Sequence, residues 1–79
     1  MNNLISVTIK LFADLRQYGA AKSVMDLPKG SDLNSIIEKF KIPKEEKRLI
    51  TLVNRKRQKN DFTLKDGDII AIFPLIGGG

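Results

Sequence analysis

Hydrophobic and polar residues alternate along the first part of the chain with the period of a half-buried β-strand. Between Leu4 and Phe12, aliphatic residues fall on one face and mostly polar residues on the other. Phe12 departs from this alternation, because it is a large apolar residue on the polar face. Residues 13–21 predict a loop or a short helical turn, and residues 22–27 predict a second strand, closed by Pro28-Lys29-Gly30. The first two strands can therefore pair as a hairpin.

An amphipathic helix is predicted to follow and to end by residue 42. Four apolar residues recur at positions i, i+3, i+4 and i+7, so they share one helical face: Leu33, Ile36, Ile37 and Phe40. Ser31 or Asp32 supplies the N-cap, since either side chain can accept a hydrogen bond from the first turn. Pro43 disfavours helical geometry in the residue before it and has no N–H to donate. The charged residues 44–48 then form a surface connector.

Two further strands are predicted after this connector. Residues 49–53 are apolar on both faces except for Thr51, which favours a position inside a sheet. Residues 54–61 are polar and predict a turn with a short edge strand, anchored by the apolar residues Phe62 and Leu64.

The last strand, residues 68–73, follows a tight turn at Asp66-Gly67 and is stopped by Pro74. It has two apolar faces, one with Ile70 and Ile72 and the other with Ile69, Ala71 and Phe73. A single helix covers only one face of a sheet, so the second face is either polar or covered by a partner. If the first and last strands are neighbours, Phe12 joins the second group in an apolar patch near the chain end. Scattered surface hydrophobes are the alternative.

Length and composition bound what the chain can do. With 79 residues, we expect one domain over residues 1–74 and a flexible tail over residues 75–79. The chain has no cysteine and no histidine, so it lacks a thiol nucleophile, a disulfide and an imidazole base. We see neither a signal peptide nor an apolar run long enough to span a membrane, and we therefore expect a cytoplasmic protein.

The formal net charge is +5, and four of the basic residues lie close together: Arg55, Lys56, Arg57 and Lys59. The net charge suits weak contact with nucleic acid or with an acidic partner surface. For the basic stretch, a solvated turn that blunts an exposed sheet edge is a better explanation than nucleic-acid binding, because no aromatic residues for base stacking are interleaved with the charges. We interpret Asp66-Gly67-Asp68 as a structural turn and expect no metal site there, because a third ligand is missing nearby.

Gly77, Gly78 and Gly79 close the sequence. A segment without Cβ atoms fits a narrow channel, so it can deliver the terminal α-carboxylate of Gly79 to the active site of another protein. Holding three glycines in one conformation costs roughly 3–6 kcal/mol, which a partner must offset. A frayed end without function is the alternative.

Several segments, in their order along the chain, carry a family resemblance: Lys10-Leu-Phe-Ala-Asp-Leu-Arg16, Val53-Asn54, Leu64-x-Asp-Gly-Asp68, Ala71-x-Phe-Pro74 and a terminal Gly-Gly. Together they resemble the small sulfur-carrier subunit of molybdopterin synthase (MoaD type), within the ubiquitin-like MoaD/ThiS family. The resemblance spans nearly the whole chain. It implies an α+β fold of the ubiquitin-like β-grasp type, with a mixed sheet of four to five strands and one main helix packed on one face.

The resemblance also implies a chemistry. A ubiquitin-activating-like adenylyltransferase would use ATP to adenylate Gly79, and a persulfide sulfur would then yield a thiocarboxylate. The large subunit of molybdopterin synthase, in a heterotetramer with this chain, would take up the tail and pass its sulfur to precursor Z. In this scheme Gly79 carries the reactive group, Gly78 allows access, and the catalytic side chains belong to the partners. The chain would bind no cofactor and have no activity alone.

Partner contacts are expected on the apolar patch and along the tail, at Phe12, Ile69, Ala71, Phe73, Pro74, Leu75, Ile76 and Gly77. Family members commonly read Phe-Pro-Pro-Val where this chain has Phe73-Pro74-Leu75-Ile76, a change that stays apolar. The basic residues 55–59 are the larger departure, and they leave the identity of the partner open. Two alternatives therefore remain. In the first, the chain is a sulfur carrier for another pathway, such as thiamine thiazole synthesis or tRNA thiolation, or it is a ubiquitin-like protein modifier. In the second, it is a basic β-grasp binding module with an inert tail.

Overall fold

The computed structural model describes residues 3–43 and 48–75. These ranges contain five β-strands, one short 3-10 helix and one α-helix. The strands are β1 (Leu4–Leu11), β2 (Lys22–Pro28), β3 (Leu49–Val53), β4 (Lys56–Arg57) and β5 (Ile69–Pro74). The 3-10 helix (Ala13–Tyr18) lies between β1 and β2, and helix α1 (Leu33–Lys39) lies between β2 and β3. Both predicted helical segments and all predicted strands are present.

The strands form one mixed sheet in the order β2-β1-β5-β3-β4. Antiparallel pairing joins β1 to β2, β5 to β3 and β3 to β4, whereas β1 and β5 run parallel. The first and last strands are therefore neighbours in the middle of the sheet. In their register Thr8 lies opposite Ile69, and on the other side of β5 Phe73 lies opposite Ile50.

The alternation along β1 determines which face of the sheet is buried. Ile5, Val7, Ile9 and Leu11 are all buried, and the residues between them are exposed or half-buried. The predicted hairpin with β2 is confirmed, and β2 runs one residue further than expected because Pro28 still pairs with Leu4. Proline is tolerated there since β2 is an edge strand.

Helix α1 begins at the second of the two predicted caps. Asp32 accepts hydrogen bonds from the backbone N–H of Ser35 at 3.1 Å and from its hydroxyl at 3.2 Å. The helix ends at Lys39, earlier than the limit set by Pro43, because Lys41 takes a left-handed φ of 58°. The N–H groups of Lys41 and Ile42 then donate to the carbonyls of Glu38 and Ile37, which satisfies two carbonyls of the last turn.

The buried faces of α1 and of the sheet pack into one hydrophobic core. Leu33, Ile36 and Ile37 of the helix join the buried residues of β1 and β5, and Tyr18, Phe40 and Phe62 pack against this cluster from its edges. The predicted arrangement of one main helix over one sheet face is therefore confirmed. Within the described ranges, neither helix is long and apolar enough to cross a membrane.

Candidate functional site

The sheet face that points away from α1, hereafter the open face, carries apolar side chains from its three central strands. Register and alternation place three such residues of β5, two of β3 and, beyond the end of β1, one aromatic residue on this face. We call this set the open-face patch: Phe12, Ile50, Leu52, Ile69, Ala71 and Phe73. All of them are half-buried except Ile69, which is 47% exposed. The predicted patch of Phe12, Ile69, Ala71 and Phe73 is therefore assembled, with Ile50 and Leu52 added to it.

Phe12 and Phe73 form the end of the patch that lies closest to the tail. Their rings stack with centroids 4.2 Å apart and an angle of 11° between their planes. This geometry requires β1 and β5 to be neighbours, which the parallel pairing supplies. Because Phe73 precedes Leu75 by two residues, the stacked pair places an apolar surface close to the start of the tail.

Pro74 and Leu75 differ in their surroundings, although both were predicted to contact a partner. Pro74 is buried and lies on the same side of β5 as Ile70 and Ile72, so it faces the core and not the open face. Leu75 has an exposed side chain, and its backbone N–H donates to the carbonyl of Arg48 at 2.9 Å. The rest of the predicted site lies outside the described residues. It comprises the expected partner contacts Ile76 and Gly77, the access residue Gly78 and the reactive residue Gly79.

A hydrogen-bond network fixes the hairpin between β3 and β4 to the start of β5. The side chain of Asn54 donates to Asp68 at 2.9 Å and accepts from the N–H of Ile69 at 3.0 Å. The other carboxylate oxygen of Asp68 accepts from the N–H of Lys65 at 2.8 Å. Asp66 accepts from the N–H of Ser6 at 2.7 Å, which ties the same turn to β1.

The two carboxylates of the Asp66-Gly67-Asp68 motif therefore stabilise this turn and hold it against β1 and against the β3–β4 hairpin. Gly67 has a φ of 86°, which the turn requires and which glycine adopts without strain. Within the described ranges, no group of three or more His, Cys, Asp or Glu side chains is arranged to hold a metal ion.

Removing the carboxylate of Asp68 should destabilise the domain measurably. Asp68→Ala leaves the Lys65 N–H and the Asn54 amide without their acceptor, and such a loss costs about 2 kcal/mol. For a domain of this size, that corresponds to a fall of about 10 °C in the midpoint of thermal unfolding. The matched control is Asp61→Ala, since Asp61 is exposed; its midpoint should stay close to that of the wild type. Equal midpoints for both variants would contradict a fastening role for Asp68.

The open face also contains a groove that was not predicted from the sequence. It encloses about 360 Å³ and is lined by Lys10, Phe12, Leu52, Asn54, Arg55, Ile69 and Ala71. We call it the Arg55 groove. The only local sign of this groove in the sequence is Leu52, an apolar residue on the outward face of β3. Lys10 and Arg55 belong to separate segments that come together only in the folded sheet.

This combination defines the class of the protein. A mixed sheet in the order β2-β1-β5-β3-β4, with one helix over one face and an apolar patch on the other, is a ubiquitin-like β-grasp domain, as predicted. A model of the ThiS family matches residues 9–79. The chain belongs to the ThiS family of ubiquitin-fold sulfur carriers, which confirms the predicted MoaD/ThiS resemblance.

Solved structures with the same fold come from several organisms. One is a Pyrococcus furiosus protein assigned as subunit 1 of a molybdopterin converting factor, at 29% identity over 91% of this chain and 99% of that one, with a TM-score of 0.75. Small archaeal modifier protein 1 of Haloferax volcanii matches at 20% identity, a TM-score of 0.72, and coverage of 94% and 99%. A complex of subunits 1 and 2 of the molybdopterin-converting factor of Helicobacter pylori matches at 19% identity, a TM-score of 0.63, and coverage of 95% and 100%. Curated protein sequences gave no match.

Proposed function

We propose that this protein is the small sulfur-carrier subunit of a molybdopterin synthase and acts in the cytoplasm. The observation that carries the proposal is the ThiS family match, which continues through Gly78 and Gly79. The likeness to the Pyrococcus furiosus protein and to the two-subunit Helicobacter pylori complex supports the molybdopterin pathway and a large-subunit partner. A heterotetramer of two small and two large subunits is the assembly we propose.

The proposed chemistry takes place at the α-carboxyl group of Gly79. A carboxylate oxygen attacks the α-phosphorus of ATP on an adenylyltransferase, and pyrophosphate leaves. A persulfide sulfur of a donor protein then attacks the carbonyl carbon of the acyl-adenylate, and AMP leaves. A thiol cleaves the resulting sulfur–sulfur bond and is itself oxidised to a disulfide with the donor, so that one sulfur atom stays on Gly79 as a thiocarboxylate.

In this proposal the chain binds its partners and presents Gly79 to them, and the partners catalyse adenylation and sulfur transfer. The absence of cysteine and histidine leaves the chain without a thiol or an imidazole that could act in these steps. The open-face patch supplies a docking surface of aromatic and aliphatic side chains. Six residues after Phe73 span at most about 20 Å, so the reacting centre of a docked partner lies within that distance of the patch.

Intact-mass measurement tests the proposal. The purified chain alone should be inactive, and with a cognate adenylyltransferase, ATP, a persulfide donor and a thiol it should gain the mass of one sulfur-for-oxygen exchange, located at Gly79. The loaded chain should then convert precursor Z only when the synthase large subunit is present.

Three results would contradict the proposal in different ways. Exchange at another residue, or none with any cognate adenylyltransferase, would remove the carrier function. Exchange without transfer to precursor Z would leave a carrier for another pathway, such as thiamine thiazole or tRNA thiolation. Covalent attachment of Gly79 to lysine side chains of other proteins would instead identify a protein modifier.

A further inference from the structure

The Arg55 groove combines an apolar floor with positive charge on two sides. Phe12, Leu52, Ile69 and Ala71 form the floor, while Lys10 of β1 and Arg55 of the β3–β4 turn carry the charges. Every ionisable residue that lines the groove is therefore basic. A volume of about 360 Å³ suits one or two side chains of a bound segment, being near the lower limit for small-molecule pockets.

Arg55 holds a backbone conformation that an arginine does not favour. Asn54 and Arg55 form the turn between β3 and β4 with φ angles of 51° and 75°. Two-residue turns with both φ angles positive prefer glycine at the second position, where any Cβ atom causes strain. Arginine therefore stabilises the fold less than glycine would, and such strained residues cluster at functional sites.

The turn also holds Arg55 in a fixed place. Asn54 is tied to Asp68 and to Ile69 through its side chain, and its backbone N–H donates to the carbonyl of Ile69 at 2.8 Å. The nearby carboxylate of Asp68 is buried and already accepts two hydrogen bonds. These bonds hold the backbone of the turn, and therefore the backbone of Arg55, in place, so the turn itself need not be ordered when a ligand binds.

We propose that the Arg55 groove selects the partner by charge. Its occupant is a segment of the enzyme that processes Gly79, in which an aliphatic side chain enters the apolar floor and a neighbouring Asp or Glu carboxylate binds Arg55 and Lys10. Arg55 is the specificity-determining residue, because its planar guanidinium can form two parallel hydrogen bonds with one carboxylate. The proposal rests on the proposed function only for the identity of that enzyme.

An acidic protein segment fits the groove better than a nucleic acid does. Single-stranded nucleic acids bind by stacking their bases on exposed aromatic rings along a basic channel. Among the residues that line the groove, Phe12 alone is aromatic, and its ring is already stacked on Phe73.

Peptide titration followed by amide chemical shifts tests this inference without any sulfur chemistry. The probes are the blocked peptide Gly-Asp-Leu-Glu-Gly and its neutral counterpart Gly-Asn-Leu-Gln-Gly. The acidic peptide should shift the amides of Lys10, Arg55, Ile69 and Ala71 and bind about tenfold more tightly than the neutral one. Its affinity should fall as salt is raised.

Three variants separate the charge of Arg55 from its effect on the turn. Arg55→Gln removes the charge but keeps a side chain, and should weaken acidic-peptide binding about tenfold while leaving the neutral peptide unaffected. The matched control Lys56→Gln removes the adjacent charge, which does not line the groove, and should change binding less than twofold. Arg55→Gly should weaken binding as much as Arg55→Gln and yet raise the unfolding midpoint, since glycine relieves the turn.

Weaker binding together with a higher unfolding midpoint in Arg55→Gly would show that Arg55 contributes to recognition and not to stability. Equal affinity for both peptides, shifts confined to other surfaces, or equal losses for Arg55→Gln and Lys56→Gln would overturn the inference. Tighter binding of single-stranded oligothymidine at the same residues would also overturn it, in favour of nucleic acid. If sulfur loading fails but the titration succeeds, the proposed function falls and the groove remains a binding site; the reverse result removes this inference alone.

Discussion

Deletion of Gly79 is expected to abolish thiocarboxylate formation while leaving the midpoint of thermal unfolding almost unchanged. The deletion draws the reacting carboxylate back by one residue, which is about 3.3–3.6 Å of extended chain. A misplacement of about 1 Å can already cost a factor of about 100 in rate, so a full residue should stop the reaction. The core residues that the structure describes all lie between Ile5 and Ile72, so their packing is unaffected. Intact-mass analysis and a melting curve on the same sample measure both effects.

Single substitutions next to Gly79 provide the controls for this experiment. Gly78→Ala adds a Cβ atom next to the reacting residue and should slow loading strongly, because the proposed channel has no room for it. Gly77→Ala adds the same atom one residue earlier, outside the terminal Gly-Gly pair of the family resemblance, and should be tolerated. Full activity of the Gly79 deletion would refute the role of the terminal carboxylate, and equal effects of the two alanine substitutions would refute the role of Gly78 in access.

Phe73→Ala is expected to weaken binding of the synthase large subunit at least tenfold, which corresponds to about 1.4 kcal/mol. The substitution removes half of the Phe12–Phe73 stack and with it the aromatic end of the open-face patch. Because Phe73 is half-buried, the free energy of unfolding should fall by about 1–2 kcal/mol, less than the 3–5 kcal/mol typical of a fully buried phenylalanine. Titration calorimetry at low salt and a melting curve separate the two effects.

One control substitution lies elsewhere on the open face, at Val24, and the other lies on the core face, at Ile72. Val24→Ala changes an apolar residue of β2 that is 70% exposed and lies outside the patch, so it should alter affinity less than twofold. Ile72→Ala removes a fully buried side chain of the same strand as Phe73 and should cost about 2–5 kcal/mol of stability. A Phe73→Ala variant with wild-type affinity would contradict docking through the patch. A wild-type chain without affinity for the large subunit would contradict the molybdopterin assignment and leave the carrier function in place.

Local patterns in the sequence predicted most of the fold. The alternation from Ile5 to Leu11 gave the buried face of β1 correctly, because burial of one face imposes a period on neighbouring positions. Of the predicted helical face, Leu33, Ile36 and Ile37 are buried, whereas Phe40 lies just beyond the helix and is half-buried. The predicted limit for the end of α1, residue 42, holds, but the helix ends earlier, at Lys39. Pro43 suggested the limit, but Lys41 adopts the left-handed conformation that glycine usually provides, and nothing in its residue type indicates this.

Contacts between distant segments were harder to predict. The sequence did not specify that β1 pairs with β5, because no local signal determines which strands become neighbours. The Arg55 groove depends on that pairing and on the position of β3, so its residues appeared unrelated along the chain. The orientation of Pro74 toward the core could have been predicted from the sequence, because Pro74 continues the two-residue spacing of Ile70 and Ile72.

Under the proposed function, the position of β5 makes sulfur loading depend on completion of the fold. This strand is made last during synthesis but lies between β1 and β3, where it joins the two hairpins into one sheet. Its pairing with β1 closes a loop of about 60 residues, and such long-range contacts form late because their closure costs entropy. The same event brings Phe73 onto Phe12 and completes the open-face patch. A partner that docks on this patch, as proposed, binds only molecules in which β1 and β5 have already paired.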